Sequence, residues 1–302
     1  MKARLFLVLA NLFWAGNYIF GKYVVADMSP VWLTFLRWCL ALLFLIPISY
    51  RTEKPDYKAV LKTYWLSLAV LGLLGIIGYN LLLYASLRYT SAVNASLVNA
   101  LCPAMIVLFS LVLLKERVTW LQIGGFFLSL IGVVFVLTKG NVAYVFQTHY
   151  NRGDLLMFAA DFVWTLYSVV GKRIDVPPIT ATTLSVAFSV VMLLPFVVAH
   201  PIRFAGVSAL AWSGIIYIWL FPSVCSFVFW NIGVKKIGAN QAGIYLNLLT
   251  LFTVIIGSLT GEKLLLSQIA GGVLIILGVV ATTGSSKKAM RARESDKVAQ
   301  SN

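Results

Sequence analysis

Charge is scarce in this sequence. Asp, Glu, Lys and Arg make up 11% of its 302 residues, where a soluble globular domain carries roughly 25%. A water-facing surface cannot be built from so few ions, which excludes a soluble fold. Histidine occurs only at His149 and His200, and cysteine only at Cys39, Cys102 and Cys225. The cysteines are scattered singly, so neither a disulfide framework nor a thiolate metal site is implied, and they read as small apolar packing residues. Both histidines fall in or beside loops, and neither H-E-x-x-H nor G-x-S-x-G occurs. No metal, cofactor or catalytic constellation is therefore expected, and an enzyme is the weakest reading.

What the sequence has instead is apolar length: 60% of it is hydrophobic. A bilayer core about 30 Å thick takes about 20 apolar residues per spanning helix. Ten runs of that kind occur, at Leu5–Val25, Val31–Tyr50, Tyr64–Leu87, Ala92–Leu114, Trp120–Thr138, Leu155–Gly171, Ile179–Ala199, Leu210–Trp230, Gln241–Leu259 and Leu266–Thr283. The first is too long for a signal-peptide core and reads as a retained helix. The expectation is an all-α integral membrane protein of ten transmembrane helices, with the lipid bilayer as its surroundings. A net charge of +14 does not point to nucleic acid, because the basic residues lie between the spans. With the N-terminus inside, 17 Lys and Arg fall in inner segments and 6 in outer ones. That asymmetry predicts a multi-pass protein of the cell membrane, a bacterial plasma membrane by preference, with both termini cytoplasmic. Residues 287–302 read as a disordered basic tail on the same side.

The sequence repeats itself. NLFWAGNYIFGKYV, from Asn11, returns as DFVWTLYSVVGKRI, from Asp161, so that Trp14, Gly21 and Lys22 correspond to Trp164, Gly171 and Lys172. Further on, Asn94, Glu116, Gln122 and Gly125 correspond to Asn240, Glu262, Gln268 and Gly271, and Gly132-Val133-Val134 to Gly278-Val279-Val280. Two units follow, residues 1–140 and 151–286, joined by a polar break. Each holds five spans, an odd number, so the second must enter the membrane from the opposite side. Inverted repeats of this kind suit alternating access, in which two similar halves exchange conformations around one site.

Several local patterns stand out: the Trp14 stretch ending in Gly21-Lys22, Ser29-Pro30 with Arg37, ASLRYTSA at Ala85–Ala92, and the LLKERVT run from Leu113 to Gly125 with its echo GEKLLLSQIAG. On these, over nearly its whole length, the chain resembles the EamA-like ten-helix proteins of the drug/metabolite transporter superfamily. The resemblance implies a transporter, an exporter of amino acids or related small metabolites. A membrane structural or sensory protein that transports nothing is the alternative.

Helical spacing selects the candidate site. Asn11, Trp14 and Tyr18 share one stripe of the first span, and Asp161, Trp164 and Ser168 the same stripe of the sixth. Polar groups facing lipid would lack partners, so these stripes are expected to line a shared cavity, the rival being interhelical packing. Ser96 and Asn99 in the fourth span, Asn240 and Asn247 in the ninth, Asn80 and Tyr84 in the third and Trp230 in the eighth complete a ring of amides and aromatics. Such a ring suits a small amphiphilic molecule. The glycines at 125, 132, 271 and 278 are expected to let helices pack closely rather than to touch substrate.

Four charged residues remain as coupling or gating candidates. Glu116 and Glu262, at span ends beside Lys115 and Lys263, read either as solvated ion pairs or as gate contacts. Asp161 stands where the first half has the neutral Asn11, and Arg37 is the one basic residue placed well within a span. A buried carboxylate needs a partner or a function. Either Asp161 and Arg37 form a static pair, or Asp161 takes up a proton in one access state and pairs with Arg37 or a substrate amine in the other.

Overall fold

The computed structural model describes residues 2–116, 118–143, 151–202, 204–259 and 265–282. The expected basic tail, Glu262 and His149 lie outside the described residues. Ten apolar helices account for nearly everything described. We number them α1 (Lys2–Asp27), α2 (Pro30–Thr52), α3 (Tyr57–Tyr89), α4 (Ala92–Asn99 and Cys102–Leu113), α5 (Trp120–Leu137), α6 (Arg152–Arg173), α7 (Pro178–Ala199), α8 (Ala209–Ile237), α9 (Ala239–Gly243, continuing through Ile244–Leu246 into Asn247–Leu259) and α10 (Leu266–Thr282). These are the ten expected spans, most of them a few residues longer.

Local chemistry sets the boundaries. Ser29 accepts from the Trp32 N–H with Pro30 in the first turn, and Asp56 accepts from the amides of Lys58 and Ala59. Thr119 with Gln122, and Asn151 with Asp154, form reciprocal capping boxes. Each satisfies amides that a helix start leaves without partners, which matters more where no water can replace them.

The backbone departs from α-helix at matching places in the two halves. α3 widens to π-helix over Gly72–Gly78, and α8 does so over Trp219–Ser226. α4 breaks after Asn99, where Pro103 has no N–H to offer, and α9 tightens to a 3₁₀ turn over Ile244–Leu246. A duplicated sequence thus carries duplicated irregularities, which fits two repeats of five helices.

Packing exchanges elements between the halves. α1 lies against α8 and α9 of the second half, and α6 lies against α3 and α4 of the first. Helices α2 and α7 meet directly. Helices α5 and α10 meet backbone to backbone: a Cβ on Gly132 would fall 2.5 Å from the Gly271 carbonyl oxygen, and one on Gly271 would fall 2.6 Å from that of Gly132. Gly125 and Gly278 repeat the arrangement, at 2.7 and 2.4 Å. Close packing was the expected role of these four glycines, and the structure shows that the contact joins one half to the other.

Candidate functional site

The two tryptophan stripes face each other. Trp14 on α1 and Trp164 on α6 meet with ring centroids 5.2 Å apart and planes at 88°. Phe227 and Trp230 from α8 lie 5.4 and 5.6 Å from Trp164, Tyr167 lies 5.1 Å from it, and Tyr79 from α3 lies 4.8 Å away. The expected cavity-lining aromatics are therefore brought together, but they fill the space with one another. In this conformation they form a closed layer, because edge-on and offset ring contacts stabilise by about 0.5–1.5 kcal/mol each beyond burial.

On one side of this layer lies Asp161, one helical turn before Trp164 and fully buried. Its Oδ1 accepts from the Asn99 amide at 2.7 Å, while Oδ2 has no hydrogen-bond partner among the described residues. The interruption of α4 after Asn99 presents that amide to α6. Cys102, just past the break, donates toward the Asp161 carbonyl oxygen and lies 3.8 Å from the Thr165 hydroxyl. Tyr18 points its hydroxyl at the sulfur of Met157, 3.9 Å away, one turn before Asp161. Asn11, the repeat equivalent of Asp161, donates to the Leu7 carbonyl at 2.7 Å and likewise keeps its Oδ1 without a partner.

Arg37 does not pair with Asp161, which removes the static ion pair. The guanidinium is buried and donates from Nε to the Ser223 hydroxyl at 2.7 Å and from one terminal nitrogen to Asn80 Oδ1 at 2.8 Å and to the Tyr84 hydroxyl. Tyr84 in turn donates to Asn17 Oδ1 at 2.9 Å. Asn80 and Tyr84, expected in the cavity ring, thus hold an arginine. The Trp38 ring lies 4.9 Å from the Arg37 guanidinium carbon, adding a cation–π contact.

Of the other candidates, Ser168 accepts from the Trp230 indole at 3.3 Å, next to the aromatic layer. Ser96 is buried in the first piece of α4. Asn240 and Asn247 are engaged elsewhere. Asn247 donates to Ser129 on α5 at 2.9 Å, and the Asn240 backbone N–H reaches Glu116 at 3.3 Å. Glu116 is not a solvated partner of Lys115: its carboxylate accepts from Ala239 and Asn240 at the start of α9, and so ties the first half to the second. At the same end Arg173 donates to the Leu113 carbonyl, and Lys172 to that of Lys235 at 2.6 Å. Lys22, the equivalent of Lys172, holds the Leu87 and Thr90 carbonyls at the opposite end.

A cleft beside Lys172 and Lys235 is lined also by Tyr167, Ser168, Thr182 and Asn231. At the Lys22 end a Cβ on Gly153 would fall 2.7 Å from the Ser86 carbonyl oxygen, so α6 and α3 are in backbone contact there.

Sequence reasoning missed Asn17, Tyr79, Tyr167 and Ser223. Tyr79 and Ser223 border or occupy the π-helical stretches, where the wider turn rotates side chains off a 100° wheel. Asn17 was legible in the duplicated motif but lies off the Trp14 stripe.

Comparison with known proteins agrees with the architecture. Residues 1–138 and 151–284 each match the EamA-like transporter family. A Bacillus subtilis protein described as uncharacterized transporter YyaM is 32% identical over 91% of both chains, and an Archaeoglobus fulgidus uncharacterized transporter is 30% identical over 93% of this chain and 97% of its own. The aromatic amino acid exporter YddG of Ancylobacter novellus is 28% identical over 57% of this chain and 60% of its own. A solved structure titled only as a crystal structure of protein superposes with a TM-score of 0.75 at 21% identity, covering 95% of this chain and 99% of that one, and so shares the fold.

Proposed function

This chain belongs to the EamA-like transporter family, and on that premise we propose that it exports an amino acid or a related small amphiphilic metabolite by alternating access through the Trp14–Trp164 layer. Family membership makes it a membrane transporter of a small molecule and sets the enzymatic and non-transporting readings aside. The observation that carries the proposal is the meeting of repeat-equivalent Trp14 and Trp164 beside a fully buried carboxylate with one oxygen unpartnered. Aromatic faces suit an apolar side chain, and a carboxylate oxygen suits an ammonium group. A relative named as an exporter of aromatic amino acids matches part of the chain, which supports the same chemistry.

Opening one end while closing the other must cost little. Turning a two-state population from 1:99 to 99:1 takes about 5.5 kcal/mol, and a few ring contacts with one helix cap are together of that order. Both termini are placed in the cytoplasm by the basic-residue asymmetry, so the Lys172 end faces inward and the cleft there is the entry route for export. Asp161 also supports coupling to the proton gradient: a proton taken up on its free oxygen in one access state would be exchanged for substrate in the other. Reconstituted protein that fails to exchange any radiolabelled amino acid or close metabolite across proteoliposomes would sink this assignment.

A further inference from the structure

Arg37 sits near the start of α2, at the Lys22 end, and is 1% exposed. It joins the two π-helical stretches, one from each half. In α3 the Asn80 amide donates to the Gly75 and Ile76 carbonyls at 3.2 and 2.8 Å, and its Oδ1 accepts from Arg37 at 2.8 Å. In α8 the Ser223 hydroxyl donates to the Ile218 carbonyl at 2.7 Å and accepts from Arg37 Nε, also at 2.7 Å. Each partner is fastened to its own widened turn and presents an acceptor to the same guanidinium. Such turns recur at functional sites of helices.

Of the side chains that accept from Arg37, Asn80 and Tyr84 belong to the first half and Ser223 to the second. The Ser223 bond therefore crosses between the halves. Helices α3 and α8 also border the aromatic layer, through Tyr79 on one and Phe227 and Trp230 on the other. Trp38, next to Arg37, meets Phe227 edge-on at 4.7 Å. A passage opened from the layer between α3 and α8 would have to part the Arg37 to Ser223 bond.

The repeat does not copy this tie. α2 and α7 each begin with a proline, Pro30 and Pro178, and carry an internal one, Pro47 and Pro195, in the same register. In that register the equivalent of Arg37 is Ser185. Its hydroxyl has no hydrogen-bond partner among the described residues, although α7 lies against the π-helical stretch of α3. At the Lys172 end, Glu53 accepts from the Ile179 and Thr180 amides and Glu116 from those of Ala239 and Asn240, and both glutamates are half-buried. Water competes for charges it can reach, whereas a buried charge-assisted bond keeps its strength and is costly to leave unmade.

Resting on the alternating-access reading, but not on which molecule is carried, we propose that Arg37 is a positioning residue that bolts the Lys22 end shut. Its bond to Ser223 breaks before that end opens, and no equivalent arginine restrains the Lys172 end. Losing the bolt shifts the population toward the access state open at the Lys22 end.

The test measures labelling by a soluble maleimide in nanodiscs, without substrate, on full-length protein with Cys39, Cys102 and Cys225 replaced by alanine. Met157→Cys reports the Lys22 side, where Met157 is buried against Tyr18 and Ser86, and Thr182→Cys reports the cleft. Arg37→Gln should raise labelling at Met157→Cys at least about ten-fold, the scale of one lost charge-assisted bond, and leave that at Thr182→Cys level or lower. Ser223→Ala keeps the charge and removes the crossing acceptor, so it should act in the same direction and add nothing further when combined with Arg37→Gln. An unchanged rate at Met157→Cys overturns the inference. So does full additivity of the two variants, or an equal rise at both reporters, which is what a merely loosened protein would give. Should Arg37→Gln not assemble, Ser223→Ala alone decides by the same two reporters. Failure of alternating access itself is separate, and shows as wild-type protein that exchanges no substrate in proteoliposomes whatever the labelling.

Discussion

Asp161 Oδ1 accepts from the Asn99 amide at 2.7 Å while its Oδ2 has no hydrogen-bond partner among the described residues. Asp161→Asn copies Asn11 of the first half with little change of shape. The variant should still exchange substrate down its gradient in proteoliposomes but lose the response to an imposed pH gradient. Full pH-driven accumulation by the variant would exclude Asp161 as the coupling group.

Trp14 and Trp164 hold equivalent places and contact the same rings of Phe227 and Trp230. Trp14→Ala and Trp164→Ala should each lower transport by about ten-fold or more, a change of about 1.4 kcal/mol in the barrier, with the protein still monodisperse in the membrane fraction. Normal transport by both variants would place the substrate path elsewhere.

Glu116 caps the start of α9 across the boundary between the halves. Removing a helix cap costs typically about 1 kcal/mol, or about a factor of five in an equilibrium. In a Glu116→Ala background, a cysteine placed at Thr182 in the cleft should react with a soluble maleimide about five-fold faster, because the Lys172 end opens more often. An unchanged labelling rate would remove Glu116 from the gate.

The α5–α10 contact offers a stability test with an internal control. Gly132→Ala places a methyl 2.5 Å from the Gly271 carbonyl oxygen, whereas nothing lies within 4 Å of a Cβ on Gly124. Overpacking of this kind costs about 1–3 kcal/mol. Gly132→Ala should lower the thermal unfolding temperature in detergent, and Gly124→Ala should leave it unchanged or raise it. Equal behaviour of the two would argue against the close contact.

Orientation is tested by labelling. Cysteine at position 145, between the halves, should react with an impermeant reagent in whole cells, whereas cysteines at 56 and 290 should react only after permeabilisation. Reaction of 145 from the cytoplasm alone would contradict an inverted second repeat.

Span number, the doubling of the fold and the equivalence of Trp14 and Trp164 were legible in the sequence. Hydropathy reports burial in lipid directly, and a duplicated motif keeps its register wherever it folds. The four helix-packing glycines were legible for the same reason, since their spacing fixes them on one face. What the sequence could not decide is which polar residues meet. Arg37 and Asp161 each lie about two turns into their helices, yet the sequence could not tell whether they touch. The tertiary structure sets Arg37 on α2 against Asn80, Tyr84 and Ser223, and Asp161 on α6 against Asn99. It does so through the π-helical turns of α3 and α8 and the break in α4. These rotate side chains away from any regular wheel, so the partners of a buried polar group depend on backbone irregularities that periodicity does not encode.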